Sequence, residues 1–176
     1  PPGSPAPEAH LDALFQDGCD DATVGTGQKG TIGLDFSRDA DTADTAIRSA
    51  VADVQRAIPG AELIQAGPDL VGLTDMASIF GFSRQNMRKY AVGHEGFPAP
   101  VHSGDPSLWH LAEVVAWLRQ HTKVTPPDST FEVAKAAARI NLEAEQRRVS
   151  QECGRGRDRG PGGGRGADSV LCHRRH

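Results

Sequence analysis

A short polar and basic stretch, "SRQNMRKY" at residues 83–90, holds the side chains of this chain that are best suited to molecular recognition. If the stretch is helical, Met87 and Tyr90 face the protein interior and the polar side chains stay outside. In the major groove of DNA, arginine donates paired hydrogen bonds to guanine and a glutamine amide fits adenine. The residues therefore predict noncovalent contact with double-stranded DNA, and the candidates for base edges are Arg84, Gln85 and Arg88.

Other polar residues of the same region are better suited to the DNA backbone. Ser83 and Lys89 carry a hydroxyl and an ammonium group, which commonly contact phosphate oxygens. His102 and Ser103, in a loop further along the chain, are expected to do the same. Asn86 belongs to the candidate set as well, but its direction depends on the exact phase of the helix, so its role stays open.

Two short helices that meet at one glycine would position these side chains. In "LTDMASIFGFSRQNMRKY", residues 73–90, Thr74 is expected to cap the first helix and Gly81 to permit a left-handed turn. Ser83 would cap the second helix, with Phe82 and Met87 packed together across its start. This is the pattern of a helix-turn-helix, although a helical hairpin with a solvated outer face has the same composition. The expected inward side chains of the first helix are Met76, Ala77 and Phe80.

The next segment, "GFPAPVHSGDPSLWHLAEVVAWLRQ", predicts a wing and a supporting helix. An extended arm leads to a turn at residues 104–107, and a return strand passes through Leu108 and Trp109. Trp109 and Trp117 could stack on bases, but both lie where the wing and the helix need apolar packing, so we assign them to the core. The inward positions of the helix are Leu111, Val114, Val115 and Leu118.

These features together resemble a known class of protein. "LVGLTDMASIFGFSRQNMRKY", "FPAP" and "LWHLAEVVAWL" are similar in order and kind to the winged helix-turn-helix of MerR-like and excisionase-like (AlpA-type) bacterial DNA-binding proteins. The resemblance covers residues 70–122. It implies sequence-specific DNA binding, either by a transcriptional regulator or by an architectural protein that bends DNA. A typical MerR regulator carries its effector region after the DNA-binding domain, and the opposite order here argues against metal or drug sensing.

Residues 1–67 predict an α+β domain in front of the winged helix-turn-helix. The order of the elements matches a ferredoxin-like βαββαβ unit without its first strand. Because the chain begins with Pro1 instead of methionine, we expect that upstream sequence is missing. The predicted elements are a short helix with Leu11, Leu14 and Phe15, two strands around the Gly25–Gly30 turn, a long helix over 42–58 and a short strand, "AELIQAG", at 61–67.

The C-terminal part predicts a helix over residues 128–150, followed by a disordered tail over residues 153–176. Ser129 and Glu132 have the spacing of a capping box. The tail is rich in Gly and Arg, so it either adds nonspecific attraction to phosphate or is a passive extension. One face of the helix carries an apolar stripe, which either forms the seam of a homodimer or packs on its own chain. Both alternatives stay open for the residues of this stripe, Phe131, Ala134, Ala138 and Leu142.

The net charge of −4 is unevenly distributed. Residues 1–66 contain 11 acids and 4 bases, a net charge of −7, whereas residues 67–123 contain 5 of each. The C-terminal residues 153–176 contain 2 acids and 6 bases, a net charge of +4. An acidic first domain is a poor nucleic-acid surface, so DNA contact must come from local basic clusters. The same acidity suits a basic protein partner, which keeps a protein-interaction module open as an alternative.

Several apparent chemical motifs lack the context that they need. "GTGQKG" matches the dinucleotide fingerprint, but a strand follows it where a helix should receive the phosphates. His94, His102 and His110 lack metal-ligand spacing, and no serine or cysteine has a supporting catalytic motif. We therefore expect no enzymatic activity, no cofactor and no bound metal.

The remaining composition places the chain among soluble proteins. No apolar run approaches the roughly 20 residues of a membrane span, and the start of the chain lacks the pattern of a signal peptide. The three cysteines, Cys19, Cys153 and Cys172, are widely separated and odd in number, which argues against a disulfide framework. These features predict a cytoplasmic location.

Overall fold

The computed structural model describes residues 10–28, 30–124 and 126–155, leaving aside the side chains of residues 26–28 and 152–155. Contacts divide the chain into two compact units, Pro1–Ala144 and Glu145–His176. The fold class is α+β, with small antiparallel sheets, as expected. The elements are α1 Leu11–Gln16, β1 Ala22–Gln28, β2 Thr31–Phe36, α2 Ala43–Ala57, β3 Leu70–Val71, α3 Leu73–Phe80, α4 Arg84–Gly93, β4 Trp109–His110, α5 Leu111–His121 and α6 Asp128–Arg155.

The N-terminal elements form a hairpin packed on two helices. β1 and β2 are antiparallel, with Val24 opposite Leu34, so a strand follows the glycine-rich stretch, as predicted. Leu34 and Phe36 pack against a small core around Leu14, and Cys19 is buried in the same core. Phe15 was expected to face inward with Leu14, but it is 70% exposed, since the six residues of α1 bury only one position.

The segment after α2 differs from the prediction. Residues 61–67 form no strand, so the described N-terminal sheet has two strands and the ferredoxin-like order is not reproduced. The side chain of Asn141, on α6, takes up the backbone groups at Ala66 instead. Ala66 N donates to Asn141 Oδ1 at 2.7 Å, and Asn141 Nδ2 donates to Ala66 O at 2.9 Å. A side-chain amide thus bonds the peptide groups that a neighbouring strand would otherwise use.

A second core holds α3, α4 and α5 together. Met76, Met87 and Leu111 are completely buried in it, and Trp109 and Trp117 are 6% and 5% exposed, as the sequence predicted. The two-residue strands β3 and β4 are paired antiparallel. Since β3 precedes α3 and β4 precedes α5, this pairing holds the starts of the two helices together. The sequence interpretation did not predict β3. Its two residues are too few to show an alternating pattern.

The long helix α6 packs on both the N-terminal and the central parts of the larger unit. Ala134 belongs to the core of α3, α4 and α5, whereas Ala137 and Ile140 pack with Ala66. The predicted stripe is therefore right at its start but wrong further on, because Ala138 is only half-buried and Leu142 is 60% exposed. The buried stripe instead runs through Ala134, Ala137, Ile140 and Ala144.

The ends of α6 also differ from the prediction. The helix begins at Asp128, so Ser129 lies inside its first turn and is not the capping residue. Glu132 pairs with Lys135 at 3.4 Å instead of closing a capping box. The helix continues to Arg155, beyond the expected start of the tail at residue 153. The rest of the predicted tail lies outside the described residues.

No described helix combines the length and the apolar character that crossing a membrane requires.

Candidate nucleic-acid interface

The turn between α3 and α4 determines the direction of α4. Gly81 has φ 70° and ψ 27°, the left-handed conformation that glycine adopts without a steric penalty. Phe82 N then donates to Ala77 O at 2.9 Å and closes the end of α3. Ala77 is buried at this crossing, where its small side chain lets the two helices approach. The predicted helix, glycine turn and second helix are therefore all present.

The start of α4 is capped as expected, whereas the start of α3 is not. Ser83 Oγ accepts a hydrogen bond from Asn86 N at 3.1 Å, and Phe82 and Met87 belong to the same core. At α3 the extended residue is Gly72, whose N–H donates to Asp75 Oδ2 at 2.8 Å. Thr74 lies within the helix and does not cap it, because the helix begins one residue before Thr74.

The aromatic residues behind α4 hold the helix on its inner side. The ring centroid of Tyr90 is 5.9 Å from that of Phe82 and 5.7 Å from that of Trp117. Trp117 is also in edge contact with Phe97, at a centroid distance of 5.0 Å. These contacts fix the rotation of α4 about its own axis, so the polar residues of α4 must lie on its outer side.

The outer side of α4 presents one continuous polar face. Ser83 is exposed where it caps the helix. Val92 lies one turn beyond Arg88 and is 81% exposed. The sequence interpretation did not include Val92, although its spacing of four from Arg88 and seven from Gln85 would have placed it on this face. Asn86 is half-buried and lies at the edge of the polar face, which settles the orientation that the sequence left open. Apart from the terminal Gly93, the exposed residues of α4 are Arg84, Gln85, Arg88, Lys89 and Val92.

The cations of this face have no carboxylate partners. Among the described residues, Arg84, Arg88 and Lys89 take part in no ion pair or side-chain hydrogen bond. The contrast is clear at Arg119 on α5, where Arg119 Nη2 lies 2.8 Å from Asp128 Oδ1. Exposed cations without partners keep their donors available for an external anion.

The segment that was predicted to form the wing is a compact loop that ends at β4. Leu108 N donates to His102 O at 3.0 Å and Val101 N donates to Leu108 O at 2.8 Å, which closes the loop at its base. Ser107 Oγ donates to Gly104 O at 2.9 Å within the predicted turn. His102 and Ser103 are exposed near the tip, as expected, and a side chain added at Gly104 would collide with the His102 imidazole.

The three histidines considered as metal ligands have separate surroundings. His94 packs on Tyr90 with ring centroids 5.1 Å apart, whereas His110 Nδ1 lies 2.7 Å from Asp69 Oδ1. Within the part of the chain that the structure describes, no three potential metal-binding side chains come together. Burial, together with the nearby Asp53 carboxylate, raises the pKa of the Cys19 thiol, which disfavours a reactive thiolate.

Comparisons of this chain with protein families, with curated proteins and with solved structures found no match.

Proposed function

We propose that this protein binds double-stranded DNA in a sequence-specific manner through the outer face of α4, and that it acts as a bacterial-type transcriptional regulator in the cytoplasm. The observation that carries the proposal is a set of three cations on one exposed face of α4, none of which has a partner among the residues that the structure describes. The inner face of the same helix is fixed in a core. Such a face has the charge and the donors that DNA requires. The proposed activity involves no covalent chemistry.

The dimensions of α4 fit the major groove. Its ten residues make a helix about 15 Å long, and the major groove is about 12 Å wide. Gln85 and Arg88 lie near the middle of the exposed face, with Arg84 at its margin, so these three side chains are assigned to base edges. Val92 adds an apolar contact suited to a thymine methyl group.

The assignments around this face follow from position and chemistry. Lys89 lies at the other margin, where its ammonium group suits a phosphate. Ser83 is assigned to a phosphate because it lies at the N-terminus of α4, where the helix dipole favours an anion. His102 and Ser103 bring the wing tip to an adjacent phosphate, and Asn86 is assigned to the margin of the contact.

The test begins with selection of a preferred duplex from random DNA, because the binding site is not known. Arg84→Ala and Arg88→Ala are then compared with the parent on the selected duplex and on scrambled DNA. We expect a loss of about 1–3 kcal/mol on the selected duplex, with a weaker preference for it over scrambled DNA. Arg147→Ala is the matched control, because Arg147 is an exposed helical arginine on α6.

Two results would contradict the proposal. One is that no duplex is enriched during selection, which would remove sequence-specific binding altogether. The other is that folded Arg84→Ala and Arg88→Ala proteins bind every duplex as the parent does, which would make the outer face of α4 an ordinary solvated surface. A bend-angle measurement on the bound duplex separates a regulator from an architectural protein, since only the latter requires strong bending.

A further inference from the structure

An apolar groove lies beside the hairpin in the N-terminal part of the larger unit. It has a volume of about 930 Å³ and is lined by β2, by α2 and by the segment 59–67. Its floor on α2 includes Ala46, Ala50 and Val54, which are spaced by one helical turn each. Because Ala46 and Ala50 have small side chains at successive turns of α2, the groove has room for side chains from another molecule.

One wall of the groove is the edge of β2 that faces away from β1. Ser37 N donates to Asp21 O, and Thr23 lies opposite Asp35 two residues along the register, so these are the hydrogen-bonded pairs of the hairpin. Leu34 and its alternate neighbours consequently direct their backbone groups away from β1, toward the groove. Within the described residues, β1 is the single strand partner of β2. An edge of this kind is a template for another strand.

Two carboxylates lie at the rim of the groove. Arg38 also lines the groove, but its guanidinium is already ion-paired within the protein. Asp35 is exposed on the face of β2 opposite Leu34, and Glu62 is exposed on the other wall. Neither carboxylate has an ion-pair partner among the residues that the structure describes. A strand added to β2 would place alternate side chains over α2 and the others beside Asp35. Opposite charges at neighbouring cross-strand positions are favourable, so a lysine or arginine suits the second set.

We propose that this groove binds an extended peptide segment of a partner protein, which pairs with the edge of β2 that faces away from β1. The segment has apolar residues at alternate positions, facing α2, and at least one Lys or Arg beside Asp35. Backbone hydrogen bonds supply affinity in this mode, and the alternate side chains supply specificity. The surface is separate from α4, so the inference does not depend on DNA binding.

The probe is a displayed library of random peptides of about twelve residues, long enough to span the edge of β2, which extends for about 20 Å. Selection uses the full chain, and counter-selection uses Ala46→Arg, which fills the groove with a long side chain. We expect enriched peptides that alternate apolar and other residues and include Lys or Arg. A synthetic copy with alternate backbone amides N-methylated should bind at least about tenfold more weakly.

Charge reversal supplies a second test that leaves the groove open. Asp35→Lys should weaken binding of the selected basic peptide at least about fivefold and improve binding of its acidic counterpart. Asp39→Lys is the matched control, because Asp39 is exposed and does not line the groove. Both variants must keep the thermal unfolding midpoint of the parent.

Several outcomes would overturn the inference. No enrichment over the Ala46→Arg protein would show that the groove takes no peptide strand. Enriched peptides whose binding survives N-methylation would show a mode other than strand pairing. If the parent protein forms a dimer and Ala46→Arg abolishes it, the groove binds a second copy of this chain and not a partner protein.

Discussion

The arginines of the N-terminal region and the cations of α4 have opposite environments. Arg38 Nε lies 2.7 Å from Asp21, Arg48 Nη2 lies 2.8 Å from Glu143, and Arg56 Nη1 lies 3.1 Å from Asp53. All three arginines of residues 10–66 are therefore paired with carboxylates. On α4, none of the three cations has such a partner in the described part of the chain.

The Arg38 cluster shows what a structural arginine does. Besides Asp21, its guanidinium contacts Asp53 Oδ2 at 2.6 Å, Ser49 Oγ at 3.1 Å and Gly18 O at 2.8 Å. The hydrogen bond from Arg38 holds the pKa of Asp21 below its ordinary value. Arg38 thus joins α2 to the segment before β1, and its donors are used within the protein.

Net charge alone does not show whether a cation is paired within the protein or available to an external partner. The N-terminal region is acidic, and its three arginines are unavailable because each forms an ion pair with a nearby carboxylate. The central region is neutral overall, yet it offers available cations because its carboxylates lie elsewhere: Asp75 caps Gly72 and Asp69 contacts His110. The availability of charge is therefore a property of the tertiary structure and not of composition.

The first and largest expected effect tests the structural role. Arg38→Met should lower the free energy of unfolding by about 2 kcal/mol, because several charge-assisted hydrogen bonds are lost and Asp21 and Asp53 are left close together. Arg88→Met, the same change on α4, should alter stability by less than about 0.5 kcal/mol. Chemical denaturation of both variants measures the difference. Equal losses would break the distinction between the two kinds of arginine.

The second prediction concerns the frame that holds the α4 cations outward. Gly81→Val should cost about 1–2 kcal/mol of stability, because a β-branched residue is strained at φ 70°. DNA binding should fall with it, since α4 loses its orientation. Gly93→Val, at the end of α4, is the control, because the conformation of Gly93 is not left-handed. If Gly81→Val unfolds at the same denaturant concentration as Gly93→Val, the turn does not require glycine.

The third prediction concerns the dependence of DNA binding on salt. Lys89→Ala should weaken binding to all duplexes about equally and lower the slope of log affinity against log salt by about one unit, as loss of one phosphate contact does. Arg56→Ala removes a cation that is already paired with Asp53, so its slope should equal that of the parent. A salt titration of binding distinguishes them. If only Arg56→Ala reduces the slope, the phosphate contact lies in the N-terminal region and not on α4.

The smallest effect is a pH dependence of the N-terminal region. The folded pKa of Asp21 is lowered, so the stabilisation from its pairing is fully present above the ordinary carboxyl pKa of about 4 and is lost as the pH falls through the folded value. In the Asp21→Asn variant, the free energy of unfolding should depend less steeply on pH below about 4. The difference is expected to be well under the Arg38→Met effect, because Asp21 is partly exposed. An unchanged acid profile would contradict the assigned pairing.

Several errors in the sequence-based interpretation share one cause. The strand expected at residues 61–67 and the capping role expected for Thr74 were both judged from local pattern. In the fold, Asn141 bonds to Ala66 from 75 positions away, and Gly72 rather than Thr74 adopts the extended conformation that precedes α3. Val92 was overlooked because apolar residues are expected to be inside, although the rotation of α4 leaves it outside.

The sequence by itself determined the elements whose signals are local. The glycine turn at Gly81, the cap at Ser83, the buried tryptophans and the polar face of α4 follow from backbone conformation and from a 3.6-residue period, which neighbouring residues specify. The tertiary structure alone decided which arginines form ion pairs with described carboxylates, which stripe of α6 is buried and which edge of β2 borders a groove. Those properties depend on contacts between residues far apart in the chain, and a local pattern contains no information about such partners.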